Sequence, residues 1–128
     1  MPKKILICED EKIIAGELSA RLNKRGYETA VLADKNIDYI IDNLGRIVEK
    51  EKPDYVLIDG LYGRWMEASE IAVRIKSDTL PIIISAEEYV IEHAKKLEYI
   101  VFDKLKLNES NGDLELLDIL DRKQKDVK

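Results

Sequence analysis

Acidic side chains follow two short apolar runs, and their residue types fit metal-dependent chemistry. The run 5–8 is followed by Glu9 and Asp10, and the run 55–58 is followed by Asp59. Continuous runs rich in Val and Ile are typical of strands that are buried on both faces of a parallel sheet. The carboxyl ends of such strands share one edge, where open α/β sheets bind ligands. Three carboxylates at that edge would repel each other, so the pattern predicts a divalent cation.

Two further polar side chains follow apolar runs in the second half of the chain. Ser85 follows the run 82–84, and Lys104 lies just beyond the run 99–102. A lysine supplies a fixed positive charge, and a hydroxyl can hydrogen-bond a phosphoryl oxygen. Mg²⁺ binds few protein carboxylates and completes its octahedron with water and phosphate oxygens. A metal, a cation and a positioned acceptor are the parts that phosphoryl transfer requires.

Predicted strands and helices alternate five times along the chain. Apolar residues at three- and four-residue spacing predict a helix after each strand, and Gly26 is predicted to cap the first helix. The predicted strands cover about 4–8, 27–33, 55–58, 82–84 and 99–102. Such alternation favours right-handed βαβ units. We predict a doubly wound, flavodoxin-like α/β fold with a five-stranded parallel sheet of order 2-1-3-4-5, helices on both faces and the polar second strand at an edge.

Length and composition bound the classes of function. The 128 residues predict one domain over 1–128, with a core at about 3–121 and a charged tail at 122–128 that frays. The net charge of −5 argues against direct nucleic-acid binding. The single cysteine, Cys8, is predicted to be a core thiol in a reducing, cytoplasmic protein. No apolar run approaches the length of a membrane span, so no membrane partner is expected.

Four segments resemble the receiver domain of two-component response regulators, in the single-domain arrangement of chemotaxis regulators. The resemblance covers residues 3–120 approximately and rests on the motifs at 5–11, 52–59, 81–86 and 103–104. It implies that Asp59 is the phosphoacceptor. It also implies that Glu9 and Asp10 hold Mg²⁺ together with Asp59.

The same resemblance assigns the remaining site residues and the partners. Ser85 corresponds to the hydroxyl residue that turns toward the phosphoryl group, and Lys104 to the lysine that pairs with it. The backbone carbonyl of Leu61 would be the last protein ligand of the metal. The implied function is a stand-alone receiver that a sensor histidine kinase or phosphotransfer protein phosphorylates. It would signal through the face made by helix 4, strand 5 and helix 5, with no enzyme activity beyond its own phosphorylation and dephosphorylation.

The chain departs from the family pattern beside the site. Gly63 stands where the family usually has proline, and Glu67 where a glycine usually opens the third helix. Leu105 replaces the proline that normally follows the lysine, and Val101 holds the position of the usual aromatic residue. Phosphorylation is therefore expected to be retained, whereas the structural response to it is expected to differ from the usual response of the family.

Neighbouring aromatic residues do not restore that pattern. Phe102 is one residue away from the usual position and should face the opposite side of the sheet. Tyr99 could reach the expected side only from further along the strand. Trp65 lies among Gly60, Gly63 and Arg64, so a partly exposed ring is expected, and His93 is expected on a solvated helix face.

Two other functions stay open. A pseudo-receiver, which acts as an interaction module independent of phosphorylation, would explain Val101 and Leu105. A small Mg²⁺-dependent phosphohydrolase would use an acceptor aspartate, but Leu61 stands where haloacid-dehalogenase-like enzymes carry a second acid. Ser85 also has a structural alternative as the N-cap of a helix that starts at Ala86.

Overall fold

Five parallel strands form one sheet in the computed structural model, which describes residues 3–108 and 112–126. The strand order is β2-β1-β3-β4-β5, as predicted, with β2 at an edge. The strands are β1 (Lys4–Glu9), β2 (Glu28–Ala33), β3 (Tyr55–Asp59), β4 (Leu80–Ser85) and β5 (Ile100–Asp103). Except for β2, each strand extends one residue beyond its predicted end. Glu9, Asp59 and Ser85 are therefore the last residues of their strands rather than loop residues.

Helices cover both faces of the sheet, which confirms the predicted layers. The helices are α1 (Lys12–Lys24), α2 (Ile37–Glu51), α3 (Trp65–Ile75), α4 (Glu88–Lys96) and α5 (Gly112–Asp126). Successive strand residues point to opposite faces, so the strands contribute side chains to two hydrophobic cores, one on each face of the sheet. Leu6 and Cys8 pack with α2, α3 and α4, whereas Ile5 and Ile7 pack with α1 and α5.

Local sequence signals account for several helix ends. Gly26, with φ of +93°, follows α1, and its N–H donates to the Asn23 carbonyl at 3.0 Å. The Tyr27 N–H donates to the Leu22 carbonyl at 3.2 Å, which completes a Schellman motif. The glycine cap of α1 is thus confirmed. The side chain of Asn36 caps α2 by accepting from the Asp38 N–H at 3.0 Å.

The last helix, α5, extends through Asp126 and so includes residues 122–126 of the charged tail. Leu117 and Leu120 are buried, in agreement with the apolar spacing of this segment. Most of the polar stretch 108–112 lies outside the described residues, as do residues 127–128. Within the described residues, none of the helices combines the length and apolar character needed to span a bilayer.

Candidate functional site

The three predicted acids come together at the carboxyl edge of the sheet. Strand β1 pairs with β3, which places Glu9 and Asp59 at neighbouring strand ends, and Asp10 follows Glu9 directly. One carboxylate oxygen from each of the three residues lies within 4.8 Å of the others. The parallel pairing of buried strands therefore assembles a compact acidic cluster.

Lys104 joins two of these acids from the end of β5. Its Nζ donates to Oδ2 of Asp59 and to Oε2 of Glu9, each at 2.8 Å. Burial acts to lower the pKa of Lys104, but the hydrogen bonds to Asp59 and Glu9 outweigh it and hold that pKa above its usual value. The ammonium group is consequently charged, and it neutralises one of the three acids.

Glu9 is the most buried acid of the cluster, with 4% of its surface exposed. Burial raises the pKa of Glu9 to about 8, and the nearby carboxyl groups of Asp10 and Asp59 add to the rise. The Lys104 ammonium lowers that pKa and offsets part of the effect. The cluster holds three carboxyl groups against one ammonium group, and a divalent cation would stabilise its ionised form.

The donor set fits a hard divalent cation. Two oxygens bound to one Mg²⁺ at about 2.1 Å are at most about 4.2 Å apart. The three carboxylate oxygens lie within 4.8 Å of one another, which is close to that spacing. Glu9, Asp10 and Asp59 could hold such an ion, and water would supply further ligands.

Leu61, the fourth predicted ligand, lies in the turn that follows Asp59. Its N–H donates to Oδ1 of Asp59 at 3.2 Å, so its backbone is tied to the acid cluster. Its carbonyl accepts from the Arg64 N–H at 3.1 Å and keeps a second lone pair for another partner. The side chain is buried in the core beneath α2, α3 and α4.

Ser85 lies beside the cluster with its hydroxyl already in a turn. Its Oγ accepts from the Glu87 N–H at 3.0 Å, and α4 begins at Glu88 instead of Ala86. The side chain therefore stabilises the turn before α4 rather than capping a helix that starts at Ala86. Ser85, Asp10, Asp59 and Lys104 line one cavity of about 210 Å³, which is large enough for a small anion and several waters.

The turn after β3 has a backbone that the sequence did not predict. Leu61, Tyr62 and Gly63 have φ of +48°, +51° and +91°. Proline fixes φ near −65°, so it cannot occupy position 63 in this conformation. The departure from the family pattern at Gly63 therefore has a direct conformational reason.

Arg64 is a residue beside the site that sequence reasoning missed. Its guanidinium pairs with Glu67 at the start of α3 and with Asp38 at the start of α2. The spacing of Arg64 and Glu67 at a predicted helix start was a signal for the first pair. The second pair joins residues 26 apart in sequence and required the tertiary structure.

The expected partial exposure of Trp65 is wrong. The side chain is 2% exposed, and its ring makes edge contacts with Tyr99 and His93 at centroid distances of 5.3 and 5.5 Å. The ring is buried because α3 begins at Trp65 and directs it toward α4. His93 is exposed, as predicted, although one side of its ring contacts the indole.

The faces of β5 agree with the sequence argument. Val101 and Tyr99 pack against the core on the α4 side, whereas Phe102 belongs to the core on the side of α1 and α5. Tyr99 thus provides an aromatic ring on the expected side, but from the residue before the strand.

Comparison with solved structures places this fold among response regulator receivers, whereas no protein-family model matches the chain. A CheY-like receiver domain protein from Methanospirillum hungatei JF-1 superimposes with a TM-score of 0.69 at 19% identity, over 98% of this chain and 96% of its own. Chemotaxis protein CheY4 of Vibrio cholerae gives a TM-score of 0.66 at 18% identity, over 95% and 98% of the two chains.

A third solved structure carries a modified residue. It is a response regulator from Burkholderia pseudomallei with a phosphorylated aspartic acid, a calcium ion and citrate. Its TM-score is 0.58 at 20% identity, over 93% of this chain and 74% of its own. The chain described here therefore has the fold of the response regulator receiver domains.

Proposed function

We propose that this protein is a phosphoacceptor of a two-component system, with Asp59 as the acceptor. The observation that carries the proposal is the position of Lys104, whose Nζ is 2.8 Å from carboxylate oxygens of both Asp59 and Glu9. An ammonium at this point can pair with a phosphoryl group on Asp59. The phosphorylated aspartic acid and calcium ion of the Burkholderia pseudomallei regulator add support from a protein of the same fold.

Each site residue has a defined role in the proposed transfer. An oxygen of the Asp59 carboxylate attacks the phosphorus of a phosphohistidine on the donor protein. The phosphorus–oxygen bond forms, the phosphorus–nitrogen bond breaks, and the leaving imidazole takes a proton from solvent water. Lys104 then pairs with the phosphoryl oxygens, and the Ser85 hydroxyl, which has one proton to donate, hydrogen-bonds one of them.

Glu9, Asp10, Asp59 and the Leu61 carbonyl would hold the Mg²⁺. The bound ion supplies positive charge that stabilises the transferring phosphoryl oxygens. Glu9 and Asp10 would hold the ion beside Asp59, since their carboxylate oxygens lie within 4.8 Å of an Asp59 oxygen.

The proposed donor is a sensor histidine kinase or phosphotransfer protein. A groove of about 300 Å³ lies between α1 and the segment after β5, and Lys104 forms part of its wall. Ile14 and Leu105 give this groove apolar walls, and Leu105 is 57% exposed. A donor seated there would contact Lys104, which hydrogen-bonds Glu9 and Asp59. Output would pass by protein contact through α4, β5 and α5, and a cytoplasmic location stays a prediction from Cys8.

Intact mass after incubation with acetyl phosphate and Mg²⁺ tests the proposal. We expect wild type to gain one phosphoryl group, Asp59→Asn to gain none, and Asp42→Asn to match wild type. Asp42 is an exposed acid on α2 and serves as the matched control. No gain in wild type, or an equal gain in Asp59→Asn, would contradict the assignment of Asp59.

A pseudo-receiver remains the second candidate because of Val101 and Tyr99. Tyr99 packs against the buried Trp65 ring, and Val101 has no ring that could move on phosphorylation. A protein that binds Mg²⁺ and gains no phosphoryl mass from acetyl phosphate or a phosphorylated donor would favour this candidate.

A further inference from the structure

The turn between β3 and α3 adopts an unfavourable backbone conformation. Leu61, Tyr62 and Gly63 all have positive φ, and only glycine adopts this region without penalty. A left-handed conformation is strained for a residue with a side chain, because its Cβ lies too close to the following carbonyl oxygen. Two such residues in succession require contacts that hold them in place.

Leu61 holds the beginning of this turn. Its side chain is 1% exposed in the core, and its N–H donates to Asp59 Oδ1 at 3.2 Å. The Gly63 N–H donates to the Gly60 carbonyl at 2.9 Å. The Tyr62 side chain is 83% exposed and contributes little. The end of the turn depends on the next residue, Arg64.

Arg64 connects the end of the turn to two helices. Its guanidinium binds Glu67 through two hydrogen bonds, Nε to Oε2 at 3.0 Å and Nη2 to Oε1 at 3.2 Å. Its Nη1 also pairs with Oδ1 of Asp38 at the start of α2. A bidentate pair that is part of a network restrains a backbone more strongly than a single surface pair does.

The backbone of Arg64 binds a residue of the candidate cation site. Its N–H donates to the Leu61 carbonyl at 3.1 Å, and Leu61 is the residue whose N–H binds Asp59. A displacement of Arg64 would therefore turn the Leu61 carbonyl. Through the Leu61 N–H it would also shift the Asp59 carboxylate. The two exposed ion pairs lie at one end of this chain of contacts, and the acid cluster lies at the other.

We propose that Arg64 is a positioning residue for the cation site, and this proposal rests on the function proposed above. The ion pairs with Asp38 and Glu67 fix the end of the turn. The fixed turn keeps the Leu61 carbonyl and the Asp59 carboxylate in the arrangement that a divalent cation needs. Arg64 itself does not contact the cation.

Calorimetric titration with Mg²⁺ alone tests this role. We expect Arg64→Gln to bind Mg²⁺ about five- to tenfold more weakly than wild type, since residues that orient metal ligands commonly have effects of this size or larger. Arg46→Gln, which alters an exposed arginine on α2 that bonds a nearby side chain, should bind as wild type does. Arg64→Lys retains the charge without the two-point contact and should give an intermediate affinity.

Hydrogen exchange provides a readout that does not depend on the metal. In Arg64→Gln, the amides of Leu61, Gly63 and Arg64 should exchange about tenfold faster, while the amides of β1 and α1 keep their wild-type rates. A general loss of stability would accelerate exchange throughout the protein. If Arg64→Gln does not fold, the same comparison is made with Arg64→Lys.

The outcomes separate this proposal from the proposed function. If wild type binds Mg²⁺ and Arg64→Gln binds it equally well, the role of Arg64 is overturned and the receiver function stands. If wild type binds no Mg²⁺, the proposed metal site fails, and the role of Arg64 fails with it. A double-mutant comparison with Glu67, an ion-pair partner of Arg64, completes the test. Glu67→Ala should weaken Mg²⁺ binding when Arg64 is present and have little further effect in Arg64→Gln.

Discussion

The Trp65 indole contacts the Tyr99 ring edge-on, with ring centroids 5.3 Å apart and an angle of 89° between the planes. Trp65 follows the turn that lines the acid cluster, and Tyr99 precedes β5. The contact therefore joins a segment beside the candidate site to the side of α4 and β5, where the proposed output face lies. It provides a ring on the side of β5 where Val101 has none.

We predict that Trp65 fluorescence reports the state of the site. Mg²⁺ and then beryllofluoride, a phosphoryl mimic, should each change the emission in a saturable way, because Trp65 directly follows Arg64 at the end of the turn. The measurement is a fluorescence titration of wild type and Asp59→Asn. The beryllofluoride change should be absent in Asp59→Asn, and its persistence there would mean that the mimic binds elsewhere.

The pKa of Glu9 predicts a pH-dependent affinity for Mg²⁺. Its folded-state pKa of about 8 lies above the usual 4.5, so the carboxyl holds a proton in the neutral range that a metal must displace. Affinity should rise from pH 6 to 8 by up to about tenfold per pH unit and level off above that range. Calorimetric titrations across this range test the prediction, and Glu9→Gln should show weak binding with a flatter dependence.

The raised pKa of Glu9 also predicts that the metal-free protein becomes less stable as the pH rises. The folded-state pKa of Glu9 is raised, so the protonated carboxyl contributes to the free energy of unfolding. This contribution is fully present below about pH 4.5 and is lost as the pH rises through about 8. Urea unfolding in chelator should show a smaller pH-dependent loss for Glu9→Gln than for wild type between these values. An identical pH dependence in the two proteins would contradict the assigned pKa.

Replacement of Lys104 should separate metal affinity from phosphoryl chemistry. Lys104→Met removes a positive charge that contacts two of the acids, so Mg²⁺ should bind more tightly, on the order of tenfold. Phosphorylation by acetyl phosphate should decrease strongly, because the phosphoryl group loses its cationic partner. Calorimetry and intact mass measure the two effects, with the exposed Lys95→Met as control. Weaker Mg²⁺ binding in Lys104→Met would be inconsistent with the bridging position of this lysine.

Glycine substitutions should have opposite effects at two positions. A Cβ at Gly45 in α2 would lie 3.6–3.7 Å from Ile71 and Ile75 side-chain atoms, an ordinary contact, so Gly45→Ala should stabilise the fold by about 0.5–1 kcal/mol. Gly63→Ala places a side chain at φ of +91° and should destabilise it by about 1–2 kcal/mol. Chemical denaturation of both variants measures the difference. Equal effects would show that the positive φ at position 63 is not maintained in solution.

The sequence by itself determined the layers of the fold and the membership of the acid cluster. Buried strands need apolar residues throughout, so the runs before Glu9 and Asp59 marked parallel strands and placed the end of each within one residue. Alternation with amphipathic helices then implied that these ends share an edge. A glycine just after a helical pattern is a similar local signal, and it predicted the end of α1 at Gly26.

Only the tertiary structure decided which side chains touch. The contact of Lys104 with both Asp59 and Glu9, and the ion pair of Arg64 with Asp38, join residues that are distant in sequence and depend on how the elements pack. The burial of Trp65 depends on where α3 begins, which the flanking glycines did not reveal. Patterns along a chain report local conformation and burial, whereas these contacts depend on distances across the sheet and between helices. The tertiary structure also decided the positive φ angles of Leu61 and Tyr62. Burial and hydrogen bonds hold this turn in a conformation that the residues do not prefer locally.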